Sequence, residues 1–231
     1  MTQQEHLDCV QTGRDFYRNA CAEAKTNFKQ FEEAIELDDL HNAHSLDTTI
    51  HYSFDFAQQV HILRNPMQPG QIYFKTPRKC GIFGVMCKAI FRQVNYLIDE
   101  ASDVGKVANT TISFVHHYFH SHGPGETHVK LHADNCSGQN KNNFLLWYLA
   151  WRAIHQLHDS ICYFFLIAGH TKFGPNRCFG IIKRSYKVGY VSSLYELAQM
   201  VESSSTVGVN KAQLVGKVIV PVYNWSTFLE Q

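Results

Sequence analysis

The chain has little that would tie it to a membrane or to nucleic acid through bulk charge. Its longest apolar run, residues 161–168, is far shorter than the roughly 20 residues that a membrane-spanning helix needs. The polar start Met-Thr-Gln-Gln-Glu-His lacks the apolar core of a signal peptide. Lysine and arginine number 21 against 20 aspartates and glutamates, so any basic surface must be local. We therefore expect a soluble protein that does not bind membranes.

Several familiar cysteine, histidine and glycine motifs are also missing. The seven cysteines include no CxxC pair, which argues against a disulfide framework or a zinc knuckle and favours a reducing, intracellular setting. There is no GxxxxGK[ST] phosphate loop, no GxGxxG after a strand and no HExxH. Zinc stays a minor alternative, because several histidines are close in sequence: His116, His117, His120, His122, His128 and His132.

What is present is a globular composition, with 45% hydrophobic and 18% charged residues in 231. That length suits one large domain or one domain with an appendage. Apolar residues recur every three or four positions over residues 14–37 and predict an amphipathic helix. We interpret residues 1–44 as an N-terminal helical arm or linker and 45–231 as the main domain. A helix packed on that domain is the open alternative.

The main domain reads as a meander of strands followed by alternating helices and strands. The predicted strands are residues 48–57, 71–75, 79–85, 91–98, 129–133, 160–168 and 217–223. The predicted helices are one capped by Asp103 and running through 107–119, one at 144–157, one opened by Pro175 and one at 193–202. This order predicts the α/β (α+β) class, with an RNase H-like mixed sheet of about five strands flanked by helices. In such a fold the first and fourth strands are neighbours.

Three side chains fall where that fold places acids. Asp55 lies in the first strand, Asp134 ends the central strand and Asn176 begins the helix after the last core strand. Converging carboxylates repel one another unless divalent cations bridge them. Mg²⁺ or Mn²⁺ ions about 4 Å apart would then activate water for phosphodiester chemistry. Two structural alternatives stay open: Asp55 facing water at a sheet edge, and Asp134 capping its own turn.

Other polar residues beside these turns suggest supporting roles. His170 follows a strand and is a candidate for proton transfer, or equally a hydrogen-bonded turn histidine. Cys136 is a weaker candidate, as the nucleophile of an unrelated α/β enzyme with His132 and His170 nearby. A basic cluster could hold a phosphate backbone or could be a solvated helix face. Its members are Lys141, Lys172, Arg177, Lys183 and Arg184.

Four blocks of sequence resemble a large uncharacterised domain family that is spread through animal genomes and associated with DNA transposons. They are Phe-Asp-Phe at 54–56, Pro-Arg-Lys-Cys-Gly at 77–81, Asp-Asn-Cys-Ser-Gly-Gln-Asn-Lys-Asn at 134–142 and Gly-His-Thr-Lys-Phe-Gly-Pro at 169–175. The resemblance covers roughly residues 45–225 and implies an RNase H-like, DDE-transposase-like core. It further implies DNA as the partner, a nuclear location and a metal centre of Asp55, Asp134 and residue 176.

The resemblance also exposes a departure. Members of this family usually carry aspartate where this chain has Asn176. An amide brings no negative charge, and each lost charge weakens the binding of a hard dication. We therefore expect a transposase-derived domain with impaired metal-dependent DNA cleavage and strand transfer, from a fragmentary or degenerate copy. The alternative is an inactive DNA- or protein-binding module, and self-association stays open.

Overall fold

A computed structural model describes residues 2–31, 42–67, 70, 76–102, 104–105, 107–167, 172–216 and 219–230. The six α-helices in these ranges are α1 (Gln3–Lys29), α2 (Ala108–Ser121), α3 (Asn143–Ile154), α4 (Gly174–Val188), α5 (Leu194–Ser203) and α6 (Trp225–Leu229). The strands are β1 (Leu46–Phe56), β2 (Val60–His61), β3 (Lys79–Cys87), β4 (Arg92–Asp99), β5 (Glu126–Ala133), β6 (Ser160–Phe165) and β7 (Asn210–Leu214). No helix in these ranges has the length and apolarity needed to cross a bilayer.

The strands form one mixed sheet in the order β6-β5-β1-β3-β4-β7, with β2 paired to β3 at the side. β1, β3 and β4 make an antiparallel meander, and β5 runs parallel to β1. β6 continues in parallel beside β5, and β7 lies parallel to β4. The predicted mixed α/β sheet is therefore confirmed, including the placement of the first and fourth long strands side by side.

Alternation along the strands gives the sheet two buried faces. On one face, helices α2, α3 and α6 cover an aromatic core that includes Tyr52, Phe83 and Phe114. On the other, helices α4 and α5 cover a smaller cluster around Ile82 and Leu197. Polar helix faces then remain for solvent, as expected for helices that bury one apolar stripe on a sheet.

The N-terminal helix begins earlier than the periodicity predicted. A capping box starts it at Thr2, because the Thr2 hydroxyl accepts from the Glu5 N–H while the Glu5 carboxylate accepts from the Thr2 N–H. The helix ends at Lys29, and residues 32–37 of the predicted helix lie outside the described residues. Its buried side chains, among them Ala20, Ala24 and Phe28, lie against β1 and its surroundings. The helix therefore covers part of the second face of the sheet.

Other predicted boundaries also need correction. The sheet has seven strands among the described residues rather than about five, because β2 and β7 were not predicted. β7 escaped prediction because it is only five residues long and lies in a largely polar stretch, so that its pairing with β4 is what defines it as a strand. The strand predicted at 217–223 is wrong for residues 219–223, where only an isolated bridge to Val220 occurs. The strand predicted at 71–75, the cap Asp103 and residues 168, 217 and 218 lie outside the described residues.

Candidate functional site

Parallel pairing of β1 with β5 brings the two candidate acids to the same edge of the sheet. The last pair in register is Ser53 with His132. Asp55 and Asp134 each lie two residues further along their own strands. Both are half-buried, so neither is the fully exposed edge residue that was the open alternative for Asp55. The register thus assembles two of the three predicted positions from residues that are 79 apart in sequence.

The third predicted position, Asn176, contacts the first. Its Nδ2 lies 3.4 Å from Oδ2 of Asp55. Its Oδ1 accepts the backbone N–H of Phe173 at 3.2 Å, which caps the start of α4. Because a backbone N–H can only donate, this cap assigns oxygen to one side of the amide and directs the NH₂ group at the carboxylate. Asn176 is therefore a hydrogen-bond donor to Asp55.

Asp134 is held by the turn that follows its strand. Its Oδ1 accepts the Cys136 N–H at 3.4 Å and also accepts the side-chain amide of Asn140. Asn140 is fully buried, and its backbone carbonyl accepts the Tyr163 hydroxyl at 3.0 Å. Sequence reasoning missed Asn140, although it stands inside the polar block that carries the family resemblance. The turn-capping role of Asp134 is thus realised in the structure.

A metal centre can be tested against these donors. Within the described ranges, no three His, Cys, Asp or Glu side chains are placed to hold a metal ion together. The edge offers two carboxylates and one amide, and that amide presents its NH₂ group to Asp55 rather than its oxygen. The arrangement does not fit a three-ligand Mg²⁺ or Mn²⁺ site, which needs oxygen donors on every side. His170 lies outside the described residues.

A row of buried polar side chains runs along β1 behind Asp55. His51 and Ser53 share its face, because alternate strand residues point the same way. Nε2 of His51 lies 2.9 Å from Nδ1 of His132. Burial lowers the pKa of His51 to about 3 and that of His132 to about 4. Both rings are therefore neutral near pH 7, and one donates a hydrogen bond to the other.

The N-terminal helix contacts both the buried polar row on β1 and the start of α4. The Tyr17 hydroxyl accepts the Gly174 N–H at 2.9 Å, and Cys21 Sγ lies 3.5 Å from Nδ1 of His51. A Cβ at Gly174 would lie 2.9 Å from the Tyr17 oxygen, so only glycine allows this approach. Burial raises the pKa of Tyr17, which keeps the hydroxyl neutral. Tyr17 thereby fixes the start of the helix that carries Asn176.

The predicted basic residues are exposed but are not all at one place. Four belong to α4 or the segment just before it, and the fifth, Lys141, lies in the turn after Asp134. Lys183 Nζ donates to Gln58 Oε1 at 3.2 Å. Lys141 Nζ stands 5.4 Å from the centre of the Phe165 ring. The other three basic residues are Lys172, Arg177 and Arg184.

Among the described residues, the histidines of the two alternative chemistries contact other partners. His132, which was considered as a base for Cys136, bonds to His51 instead. Two of the helix histidines that suggested zinc are bound to tyrosines, since His116 Nδ1 lies 3.2 Å from the Tyr148 hydroxyl oxygen. His117 likewise meets the hydroxyl of Tyr96. These contacts give the two helix histidines structural partners on the aromatic core.

One comparison with known proteins gives a match. Residues 75–231, about two thirds of the chain, match the family model described as a domain of unknown function, DUF7869. The chain belongs to this family. The match includes Asp134 and Asn176 but begins after β1, which carries Asp55. No curated protein and no solved structure matches the chain.

Proposed function

We propose that this DUF7869 chain is a transposase-derived, RNase H-like domain whose metal-dependent cleavage and strand transfer of DNA are impaired. The observation that carries the proposal is the Asp55–Asn176 hydrogen bond beside the tip of β5, where Asp134 lies. Two acids on neighbouring parallel strands and a third polar position at a helix start form the arrangement expected for phosphodiester chemistry. In a centre with a carboxylate at position 176, bound Mg²⁺ or Mn²⁺ would supply charge stabilisation and an activated water.

The impairment follows from the chemistry of the third position. A carboxylate there would add negative charge and oxygen donors for a dication. The amide of Asn176 instead donates to Asp55, so it satisfies that carboxylate without any ion. An ion that bound to Asp55 would have to displace this hydrogen bond and would gain one negative ligand fewer. Both effects lower the affinity for metal.

A direct test compares the native chain with the variant Asn176→Asp. Supercoiled and oligonucleotide DNA would be incubated with Mg²⁺ or with Mn²⁺, and nicked, cleaved and joined products would be measured. We expect little product from the native chain and about tenfold more from Asn176→Asp, the gain that 1.4 kcal/mol of transition-state stabilisation gives. The double variant Asn176→Asp/Asp134→Ala is the matched control and should lose that gain. Absence of any product from Asn176→Asp under either metal would overturn the catalytic part of the proposal.

A second candidate function is a module that holds DNA without cutting it. The exposed cations along α4 favour it, because lysine and arginine contacts to phosphate need no metal. On this account the domain acts in the nucleus, with DNA as its partner, and self-association would extend the basic surface. It predicts salt-sensitive binding that survives Asp134→Ala and weakens in Lys172→Ala or Arg184→Ala. DNA titrations at several salt concentrations measure these affinities. Equal affinities of Lys172→Ala, Arg184→Ala and the native chain would contradict this candidate function.

A further inference from the structure

A groove separates α4 from the segment that leaves β1. It has a volume of about 560 Å³, and its lining includes Gln58 and Gln59 on one wall. Asn176, Gly180, Lys183 and Lys187 line the opposite wall, at helical spacing along one side of α4. Since Asn176 also contacts Asp55, one end of the groove adjoins the candidate centre.

The far end of the groove is closed by a well-defined contact. The Tyr186 hydroxyl donates to the His61 carbonyl at 2.8 Å and accepts the His61 N–H at 2.9 Å. The guanidinium of Arg64 stands 5.9 Å from the centre of the Tyr186 ring. These contacts tie β2 to α4 and place a third cation just beyond the groove. The two walls of the groove are therefore held together at this end.

The charges in the groove suit an anion. Lys183 and Lys187 are both exposed, and none of the described lining residues carries a carboxylate. The amide groups of Gln58 and Gln59 add uncharged donors and acceptors, and a ligand would replace the Lys183–Gln58 hydrogen bond that crosses the groove. Ammonium groups on one wall would bind phosphates, whereas the amides could bind the edge of a base. A polyanion with hydrogen-bonding bases fits both walls.

The floor of the groove distinguishes a single strand from a duplex. It is formed by apolar side chains, including the half-buried ring of Phe179 and the side chain of Ile82, whereas the Phe56 ring packs on Phe83 in the aromatic core of the other face. In a duplex the bases are stacked inside and show only their edges in grooves about 12 and 6 Å wide. An unpaired base can instead lay its flat face on an aromatic side chain, which stabilises binding of any sequence. The volume also lies within the roughly 300–1,000 Å³ typical of sites for small ligands.

We propose that this groove binds a short unpaired stretch of DNA, with phosphates on Lys183 and Lys187 and bases on the apolar floor around Phe179. The inference rests on the proposed DNA-directed function and specifies the form of DNA that the site takes. A strand in this groove would run toward the edge that carries Asp55 and Asn176. Binding there needs no metal ion, since its cations are lysines.

Gly180 offers a clean way to block the groove. A Cβ built on this glycine meets no atom within 4 Å, and the residue lines the groove in the middle of α4. Gly180→Ala should therefore fold and stabilise the helix, because alanine is favoured over glycine in helices. Gly180→Glu adds bulk and a negative charge among the lysines, whereas Gly180→Gln adds the same bulk without the charge. Comparison of these variants separates the effects on binding of altered folding, of added side-chain volume and of added negative charge.

The test measures fluorescence anisotropy of a labelled oligothymidylate and of a labelled hairpin duplex with the full chain, in EDTA. We expect the native chain to bind the single strand more tightly than the duplex. Gly180→Glu should weaken single-strand binding about tenfold, Gly180→Gln less, and Gly180→Ala hardly at all. Lys183→Gln/Lys187→Gln should lower the salt slope by about 1.4, which is two contacts at about 0.7 each. The matched control Lys25→Gln/Lys29→Gln removes two exposed charges from α1 and should leave binding nearly unchanged.

The outcomes separate this inference from the proposed function. Equal affinity for duplex and single strand would contradict binding of unpaired DNA in the groove. So would an unchanged affinity of Gly180→Glu, provided that its Tm equals that of Gly180→Ala. An equal loss in the Lys25/Lys29 control would overturn it as well. DNA cleavage by Asn176→Asp, measured separately with metal, would still support the proposed function in that event. Single-strand binding that responds to Gly180→Glu while Asn176→Asp stays inactive would support the groove and overturn the catalytic proposal.

Discussion

The side chain of Asn176 performs two structural tasks with its two different ends. Its oxygen caps α4 through Phe173, and its NH₂ group meets Asp55. An aspartate could keep the cap, since a carboxylate oxygen also accepts a backbone N–H. It could not donate to Asp55 and would face it with a second negative charge. Asn176→Asp therefore removes the hydrogen bond to Asp55 and creates a pair of negative charges that a bound cation would stabilise.

This exchange predicts the thermal behaviour of Asn176→Asp. Without metal, its Tm should fall by roughly 2–4 °C, the shift that about 1 kcal/mol produces in a chain of this size. Mg²⁺ should restore the Tm of the variant and leave that of the native chain unchanged, because binding to the folded state adds stability. Differential scanning calorimetry with and without Mg²⁺ measures both shifts. Asn176→Ala is the control, and a Mg²⁺ response in that variant would contradict the explanation.

Asn140 is a second residue whose role comes from one contact. It is fully buried, and its amide donates to the Asp134 carboxylate. Asn140→Ala should therefore cost about 1–3 kcal/mol, because it removes one of the two donors to the Asp134 carboxylate and leaves a cavity. Urea unfolding measures the loss. Asn135→Ala changes an exposed neighbour in the same turn and should stay within about 0.5 kcal/mol. Equal unfolding midpoints for the two variants would rule out the proposed role of Asn140.

At the scale of elements, helix α1 contributes to the second face of the sheet and to the start of α4. Tyr17 accepts the Gly174 N–H, and Lys130 Nζ pairs with the Glu23 carboxylate at 2.7 Å. A helix N-terminus has several backbone N–H groups without partners inside the helix, so an outside acceptor stabilises it. The helix that looked like an appended arm thereby supports the element that carries Asn176.

The variant Tyr17→Phe tests this support. It keeps the ring but removes the acceptor for Gly174, so the unfolding free energy should fall by about 1–2 kcal/mol. Hydrogen exchange at the first turn of α4 should speed up, because local opening there becomes easier. Tyr195→Phe removes a hydroxyl from an exposed tyrosine of α5 and serves as the control. Unchanged exchange at Gly174 in Tyr17→Phe would show that α1 does not brace α4.

At the scale of the whole molecule, buried and half-buried histidines couple the fold to pH. Burial lowers the pKa of five of them below the ordinary 6.5, in two cases to about 4 and in one to about 3. They are His51, His116, His117, His132 and His158. As pH falls below 6.5, the unfolded chain takes up protons that the folded chain does not. Acid therefore favours unfolding.

The expected result is a loss of stability between pH 6.5 and about 4, with nearly constant stability above pH 6.5 as far as these groups are concerned. The slope flattens below the lowered pKa values, where the folded chain also takes up protons. Urea midpoints across this range measure the effect. His155→Gln, at an exposed histidine, should leave the profile unchanged. A midpoint that stays level from pH 6.5 to 4.5 would contradict the account.

Local patterns were sufficient for much of the fold. Apolar alternation located β1 and β3–β6 to within a few residues, and Pro175 marked the start of α4. Such patterns are readable because strand and helix periods are properties of short segments. The sequence pattern did not predict β7, since its largely polar residues form a strand through pairing with β4. Register between distant strands likewise depends on pairing, which no short segment encodes.

The sequence by itself determined the class of fold, the two acids at strand ends and the asparagine in the third position. Only the tertiary structure decided that Asn176 donates to Asp55, that Asn140 holds Asp134 and that α1 braces α4 through Tyr17. The physical reason is that the direction of an amide and the partner of a hydroxyl depend on groups brought together by long-range packing. The groove between β2 and α4 arises in the same way, because its walls come from segments more than a hundred residues apart.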